Sequence, residues 1–249
     1  MIDDSRLTIV KERYNIAGLK IIMTTYHQET MKRAIPYRAD TDWSEEDADG
    51  VIDLGQDFYE KIYKEYMPYA NYTTIEYIYT GSLFHRLLLE YNGCMLHSSA
   101  VVVDGYAYLF SADSGTGKST HTELWLKHFG DKAFIINDDK PSLRFEEGEW
   151  YAYGTPWSGK HNINVNTRAK LGAIVFLERS ENNWIEPLDV KEAIPLFFKQ
   201  TIRKLKTVEK MDMVLEKIGQ ILTDNPIYKM GCNINDDAVI TAYEKIRRV

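Results

Sequence analysis

The chain has 249 residues, a hydrophobic fraction of 44%, 27% charged residues, and a formal net charge of −7. It is long enough to bury a substantial core, and its composition is that of an ordinary globular protein. The acidic balance provides no general field for nucleic acid or an anionic membrane, and no apolar run is long enough to span a bilayer. The first residues, Met1 to Arg6, are acidic and polar and lack the apolar stretch of a secretory leader. The two cysteines, Cys94 and Cys232, are far apart in sequence. Together these features read as a cytoplasmic chain with reduced thiols.

Residues 7–26 are rich in β-branched and aromatic residues, and Gly18 interrupts them, so two or three short strands are expected. Residues 40–50 carry six carboxylates and almost nothing to bury, which marks a solvated loop. Phe58, Ile62 and Tyr66 are spaced for a short amphipathic helix over 56–67, stopped by Pro68. Thr73 and Glu76 have the spacing of a capping box. Behind them Ile75, Tyr79, Leu83 and Leu87 make one stripe of a helix running to about Glu90, closed by Gly93. This gives an N-terminal α+β region over 1–92 and a second region over 93–249.

The second region opens with two β-rich runs, 97–103 and 106–110, joined by Asp104-Gly105, a strong hairpin signal. The second arm runs directly into Ser111-Ala112-Asp113-Ser114-Gly115-Thr116-Gly117-Lys118-Ser119-Thr120. This is a phosphate-binding loop. Small residues let the backbone aim several N–H groups at one anion, the lysine adds a positive charge, and the serine can hold a magnesium ion. Such loops usually follow a strand of a parallel βαβ unit, whereas here the strand is one arm of an antiparallel hairpin. A helix over 120–129 should present its N-terminal amides to the phosphates. His121 and His128 are expected on its surface.

Residues 133–136 form a short apolar strand that ends at Asn137-Asp138-Asp139, about twenty residues after Lys118. There, Asp138 and Asp139 could serve a magnesium ion and take the proton of an attacking hydroxyl, one role each. Used purely structurally, the pair would make an Asx turn or a helix cap. A second hairpin is expected around Glu147-Gly148, then a polar loop from Gly154 to Asn162, and a buried strand over 171–177. His97, at the start of the first hairpin, is a candidate for the γ-phosphate side. Lys160, His161 and Arg168 supply cations, with Lys160 or Arg168 placed to neutralise charge on a transferred phosphoryl group. The remainder reads as helices between 190 and 222 (Ala193, Phe197 and Ile202 on one face; Met213, Ile218 and Leu222 on another), a strand over 226–232, and a last helix over 236–246.

The hairpin, the loop from Asp113 to Ser119, the upstream His97 and the Asp138-Asp139 pair resemble the catalytic domain of bacterial HPr kinase/phosphorylase over roughly residues 93–180. That family shares its fold with phosphoenolpyruvate carboxykinase. The resemblance implies an α/β fold built on a mixed sheet with a phosphate loop. It also implies ATP or another NTP bound by residues 113–120, with Mg²⁺ on Ser119, Asp138 and Asp139. Lys118 would hold phosphate, His97 would lie beside the reacting phosphate, and the partner would be a hydroxyl-bearing protein, peptide or small molecule. The segment from Gly154 to Arg168 is similar to one in uncharacterised HPr kinase-like proteins. Two departures stand out. Ala112 replaces the glycine that usually opens the loop, and no R-G-x-G segment follows the Asp pair. The resemblance therefore implies a kinase-like protein and neither HPr as acceptor nor phosphorolysis. The rival readings are a nucleotide-binding regulatory module and a carboxykinase-type enzyme.

Overall fold

The computed structural model describes residues 9–55, 57–58, 61–62, 65, 71–201, 205 and 207–248. The expected helix over 56–67 and its stop at Pro68, together with Ile202, lie largely or wholly outside the described residues. The chain divides into two compact units, Met1–Leu87 and Leu88–Val249.

In the first unit, β1 (Val10–Ile16) and β2 (Leu19–Thr25) form an antiparallel hairpin, and β3 (Gly50–Ile52) adds in parallel to β2. Ala17 and Gly18 both take positive φ (50° and 74°), the backbone that a two-residue hairpin turn needs to match strand twist. Helix α1 (Gln28–Ala34) follows the hairpin. The acidic run 40–50 is mostly exposed, with one 3₁₀ turn over Glu45–Asp47 closed by Ser44 and Asp47, although Trp43 within it is buried. Helix α2 (Tyr72–Leu88) is not capped as its spacing suggested. Asn71 is the cap, its Oδ1 accepting from the Thr74 N–H at 2.8 Å. Glu76 sits inside the helix, fully buried, and accepts the Tyr26 N–H at 3.0 Å. A short polar side chain one residue ahead of the helix satisfies an orphan N–H, which leaves Glu76 to serve a long-range donor.

In the second unit, Asn92, not Gly93, takes the left-handed conformation that ends the 3₁₀ turn after α2, and Gly93 opens a strand. The strands are β4 (Gly93–Met95), β5 (Ser98–Val103), β6 (Tyr106–Ser111), β7 (Ala133–Asn137), β8 (Ser142–Glu146), β9 (Glu149–Tyr153), β10 (Arg168–Arg179), β11 (Trp184–Pro187) and β12 (Ile227–Cys232). They form one mixed sheet in the order β4-β8-β9-β10-β6-β5-β7. The long β10 forks: its first residues pair with β9, and its later ones with β12, which in turn pairs with β11. The hairpin at Asp104-Gly105 forms as expected, so β6 is antiparallel to β5 on one side. On its other side β6 is parallel to β10. The short β11 has no hydrophobic alternation and was not foreseen.

The helices are α3 (Lys118–Phe129), α4 (Val190–Lys199), α5 (Val208–Asp224) and α6 (Asp237–Ile246). The core falls on both faces of the sheet. Alternate residues of β5, β6 and β10 (Ala100 and Val102, Ala107 and Leu109, Ile174 and Phe176) cluster with Ala193 and Phe197 of α4 and with Ile218, Ile221 and Leu222 of α5. Their neighbours (Val101 and Val103, Tyr108 and Phe110, Val175 and Leu177) cluster with Trp125 of α3 and with Val239, Ala242 and Ile246 of α6. A sheet covered on both faces needs apolar residues at every position, which is why these strands read as continuous runs. Each valine, leucine, isoleucine or phenylalanine among them contributes about 1.5–3 kcal/mol on burial.

His121 is a correction to its expected surface place. It is 2% exposed, lies against Phe110, and accepts the Trp125 indole N–H at 3.1 Å. Burial lowers its pKa to about 4, so it is a neutral core residue. His128 is exposed as expected. Both cysteines are free thiols, and burial pushes Cys94 up to about 12 and Cys232 to about 11. No helix among the described residues is long and apolar enough to cross a membrane.

Candidate functional site

The site begins where β6 ends. The glycine-rich loop 111–120 leaves the sheet at Ser111, whose hydroxyl donates to the His97 carbonyl across the hairpin at 2.8 Å. Gly115 (φ 80°) and Gly117 (φ 120°) supply turns that side chains resist, and Gly117 is the N-cap of α3. Gly117 has no side chain to cap that terminus, and among the described residues the first N–H groups of α3 are open to another acceptor. Ala112 is accommodated because its φ is not positive and its side chain is buried in the core cluster under α3.

Lys118 is largely buried, and its ammonium donates to the carbonyls of Ala112 (3.0 Å) and Asp113 (3.4 Å). Burial lowers its pKa, while Asp139, Asp138 and Asp113 oppose that shift. The loop faces an open cleft of about 570 Å³. Its lining brings together Ser114, Gly115, Gly117, Lys118, Ser119 and Thr120 with His97, Asp138, Asp139, Gly159, Lys160 and His161. Asp113 and Thr116 belong to the loop but do not line the cleft.

The opposite wall is built by side chains. Asn137 is fully buried at the end of β7, and its amide donates to the Thr155 carbonyl and hydroxyl, each at 3.1 Å. Its carbonyl oxygen accepts the N–H groups of Asp139 (3.0 Å) and Lys140 (2.8 Å). The Asx turn anticipated for the aspartate pair is therefore made by Asn137, and both aspartates keep their carboxylates for other work.

The two carboxylates have different surroundings. Asp138 Oδ1 accepts a 2.6 Å hydrogen bond from Ser99, which also contacts Thr122 of α3 at 2.7 Å. No hydrogen bond reaches its Oδ2 among the described residues. Asp139 Oδ1 lies 3.1 Å from His97 Nε2, and its Oδ2 accepts from Lys140 at 2.7 Å. Burial pushes Asp139 upward, but the His97 hydrogen bond and Lys140 outweigh it and hold the carboxyl at about 2. One aspartate is thus partnered by a neutral hydroxyl with an oxygen to spare, and the other by an imidazole and an ammonium.

Lys160 and His161 are exposed on the loop that closes this wall. Arg168 is not brought to the cleft. It pairs with Glu146 (2.8 Å) and Glu147 (3.5 Å) and lies over the Tyr151 ring at 4.3 Å, as part of the β8-β9-β10 surface. The strand runs on through Arg168 instead of starting at Leu171, so the residue faces a carboxylate of the neighbouring hairpin.

Three contributors were not legible beforehand. Gly159 has φ +74°, and a Cβ there would come within 2.9 Å of Asp139 Cβ, so glycine lets the loop press on the carboxylate. Gln200, at the C-cap of α4, reaches both Asp113 (2.9 Å) and His97 (3.0 Å). Arg179, at the end of β10, donates to the loop carbonyls of Gly115 (2.6 Å) and Thr116 (3.4 Å). Only the left-handed preference of glycine hinted at the first.

No protein-family model matches the chain, and no curated protein matches it. Among solved structures, the chain is similar to the HPr(Ser) kinase/phosphatase from Coxiella burnetii, with 12% identity and a TM-score of 0.34. The match covers 59% of this chain and 89% of that one.

Proposed function

We propose that this protein is a nucleoside-triphosphate-dependent phosphotransferase that passes a γ-phosphoryl group to a hydroxyl. The observation that carries the proposal is the single cleft in which the phosphate loop faces His97, Asp138 and Asp139. A loop alone binds phosphate; transfer also needs an acceptor-orienting group and a metal ligand opposite it.

The loop amides, the uncapped start of α3 and Lys118 would hold the phosphates of ATP or another NTP. Ser119 and the second oxygen of Asp138 are hard oxygen donors suited to Mg²⁺ and would hold it. When bound, the ion would supply neutralisation of phosphate charge. Asp139, held ionised by His97 and Lys140, orients the acceptor hydroxyl and receives its proton late, as a loose phosphoryl transition state allows. Lys160, exposed on the cleft wall, would offset charge on the transferred group.

The test is γ-labelled ATP with Mg²⁺, following label into water and into serine-containing peptides. Asp139→Asn should lower turnover by about 10²- to 10⁴-fold while a fluorescent ATP analogue binds as before. Unchanged turnover in this variant removes Asp139 from the reaction. Tight nucleotide binding with no transfer by the unmodified protein favours a nucleotide-binding regulatory module instead.

A further inference from the structure

The His97 side chain is oriented from outside the hairpin that carries it. Gln200 is 6% exposed and ends α4, its own N–H bonded to the Phe197 carbonyl at 2.9 Å. Phe197 and Ala193 are fully buried in the core, so the position of Gln200 is set by packing. From there its backbone carbonyl accepts the His97 N–H at 2.7 Å, and the next residue, Thr201, donates its hydroxyl to the Met95 carbonyl at 2.6 Å. The Gln200 side chain spans two further groups. Its amide nitrogen lies 2.9 Å from Asp113 Oδ1, and its amide oxygen 3.0 Å from His97 Nδ1.

The order of donors and acceptors along this chain is forced. A carboxylate only accepts, so the NH₂ of Gln200 must face Asp113 and its oxygen must face the imidazole. Lys199 clamps the other oxygen of Asp113 at 2.6 Å and keeps the pKa of that carboxyl lowered. An amide oxygen cannot donate, so the Gln200 bond needs a proton on His97 Nδ1, and the ring is turned with Nε2 toward Asp139 Oδ1 at 3.1 Å, where a carboxylate that only accepts needs a proton on Nε2 as well. Without this clamp the imidazole could rotate about χ2, whose wells are broad and roughly two-fold.

We propose that Gln200 is a positioning residue of the cleft, fixing the orientation of the His97 ring between two acceptors and tying it to the loop through Asp113. Its effect on turnover rests on the phosphotransfer reading; its effect on the imidazole does not. Gln200→Leu keeps the approximate volume and removes both side-chain bonds. Turnover of labelled ATP should fall about 10- to 100-fold, the usual loss when a group that orients an imidazole is removed. The Kd for a fluorescent ATP analogue should stay within about 2-fold, since no phosphate donor is lost. Gln200→Glu, which can still accept from His97 but cannot donate to Asp113, should fall between the two.

The deciding measurement is long-range ¹H–¹⁵N correlation of the His97 ring at fixed pH. The unaltered protein should show a proton on Nδ1 beside the one on Nε2 that faces Asp139, and Gln200→Leu should lose the Nδ1 proton and keep the one on Nε2. An Nδ1 proton retained in Gln200→Leu, with turnover unchanged, overturns the proposal. A shifted ring signal in a protein that transfers no phosphoryl group upholds the positioning role and defeats the phosphotransfer reading. Should Gln200→Leu not fold, Asp113→Asn serves in its place. It frees the Gln200 amide to turn over, and the His97 ring should then populate a form with its proton on Nε2 alone. A ring still held with its proton on Nδ1 in that variant also overturns the proposal.

Discussion

The two walls of the cleft are made by different means. The loop wall, 111–120, is local: a strand end, two glycines with positive φ and the first turn of α3 follow one another in sequence. The carboxylate wall is assembled from distant segments. Asp138 is held by Ser99, Asp139 by His97 and Lys140, and the turn between them by Asn137 and Thr155. Gly159 of a later loop is packed against it. One wall presents backbone N–H groups and the other presents charged side chains, so damage to each should appear in a different kinetic quantity. Binding should follow the loop, and turnover should follow the carboxylates.

A matched pair of glycine substitutions can break that division. Gly159→Ala places a methyl 2.9 Å from Asp139 Cβ at a backbone with φ +74°, so either the loop or the carboxylate must move. Displacement of a reacting group by a fraction of an ångström to one ångström costs up to about 100-fold, so turnover should drop by about that factor with nucleotide affinity little changed. Gly117→Ala differs in kind. Its Cβ would meet nothing within 4 Å, but φ is +120°, outside the conformations that an alanine adopts readily. The cost is backbone strain of about 1–3 kcal/mol, relieved by unwinding the loop from the shape proposed to hold phosphate. The Kd for a fluorescent ATP analogue should rise roughly 10-fold or more. If both variants weaken binding and turnover equally, the two walls are not separable.

The same contrast governs what the residues disclosed by themselves. The hairpin at Asp104-Gly105, the loop, the strand to Asn137 and the helix over 237–246 are written in local turn chemistry and periodicity. The role of Asn137 was hidden because it depends on the Thr155 backbone, and that of Gln200 because it depends on residues about ninety to a hundred positions away. Arg168 looked like a site cation because it follows a polar loop, yet Glu146 claims it across the sheet. His121 looked exposed for a related reason. Helical spacing alone does not show that Phe110 and Trp125 enclose it. Charge and spacing identify candidates, and burial and pairing decide among them.

The smallest effect is the most informative about the loop. Ala112 occupies the place where glycine usually opens such a loop, and a purely local reading would have Ala112→Gly improve it. The structure argues the reverse. Ala112 is 6% exposed, its φ is not positive, and its methyl packs in the cluster that includes Phe110 and Trp125. Only its carbonyl serves the site, as the acceptor for the Lys118 ammonium at 3.0 Å, and a glycine carbonyl would do the same. Substitution by glycine gains no conformation that the loop uses, loses a buried methyl, and adds freedom to the unfolded chain. The expected result is a stability loss of about 1 kcal/mol in urea unfolding, with the Kd for a fluorescent ATP analogue unchanged within about 2-fold. A gain in affinity would show that the Ala112 methyl holds the loop away from its phosphate-binding shape, and would move the limit on binding from the two glycines to the strand end that precedes them.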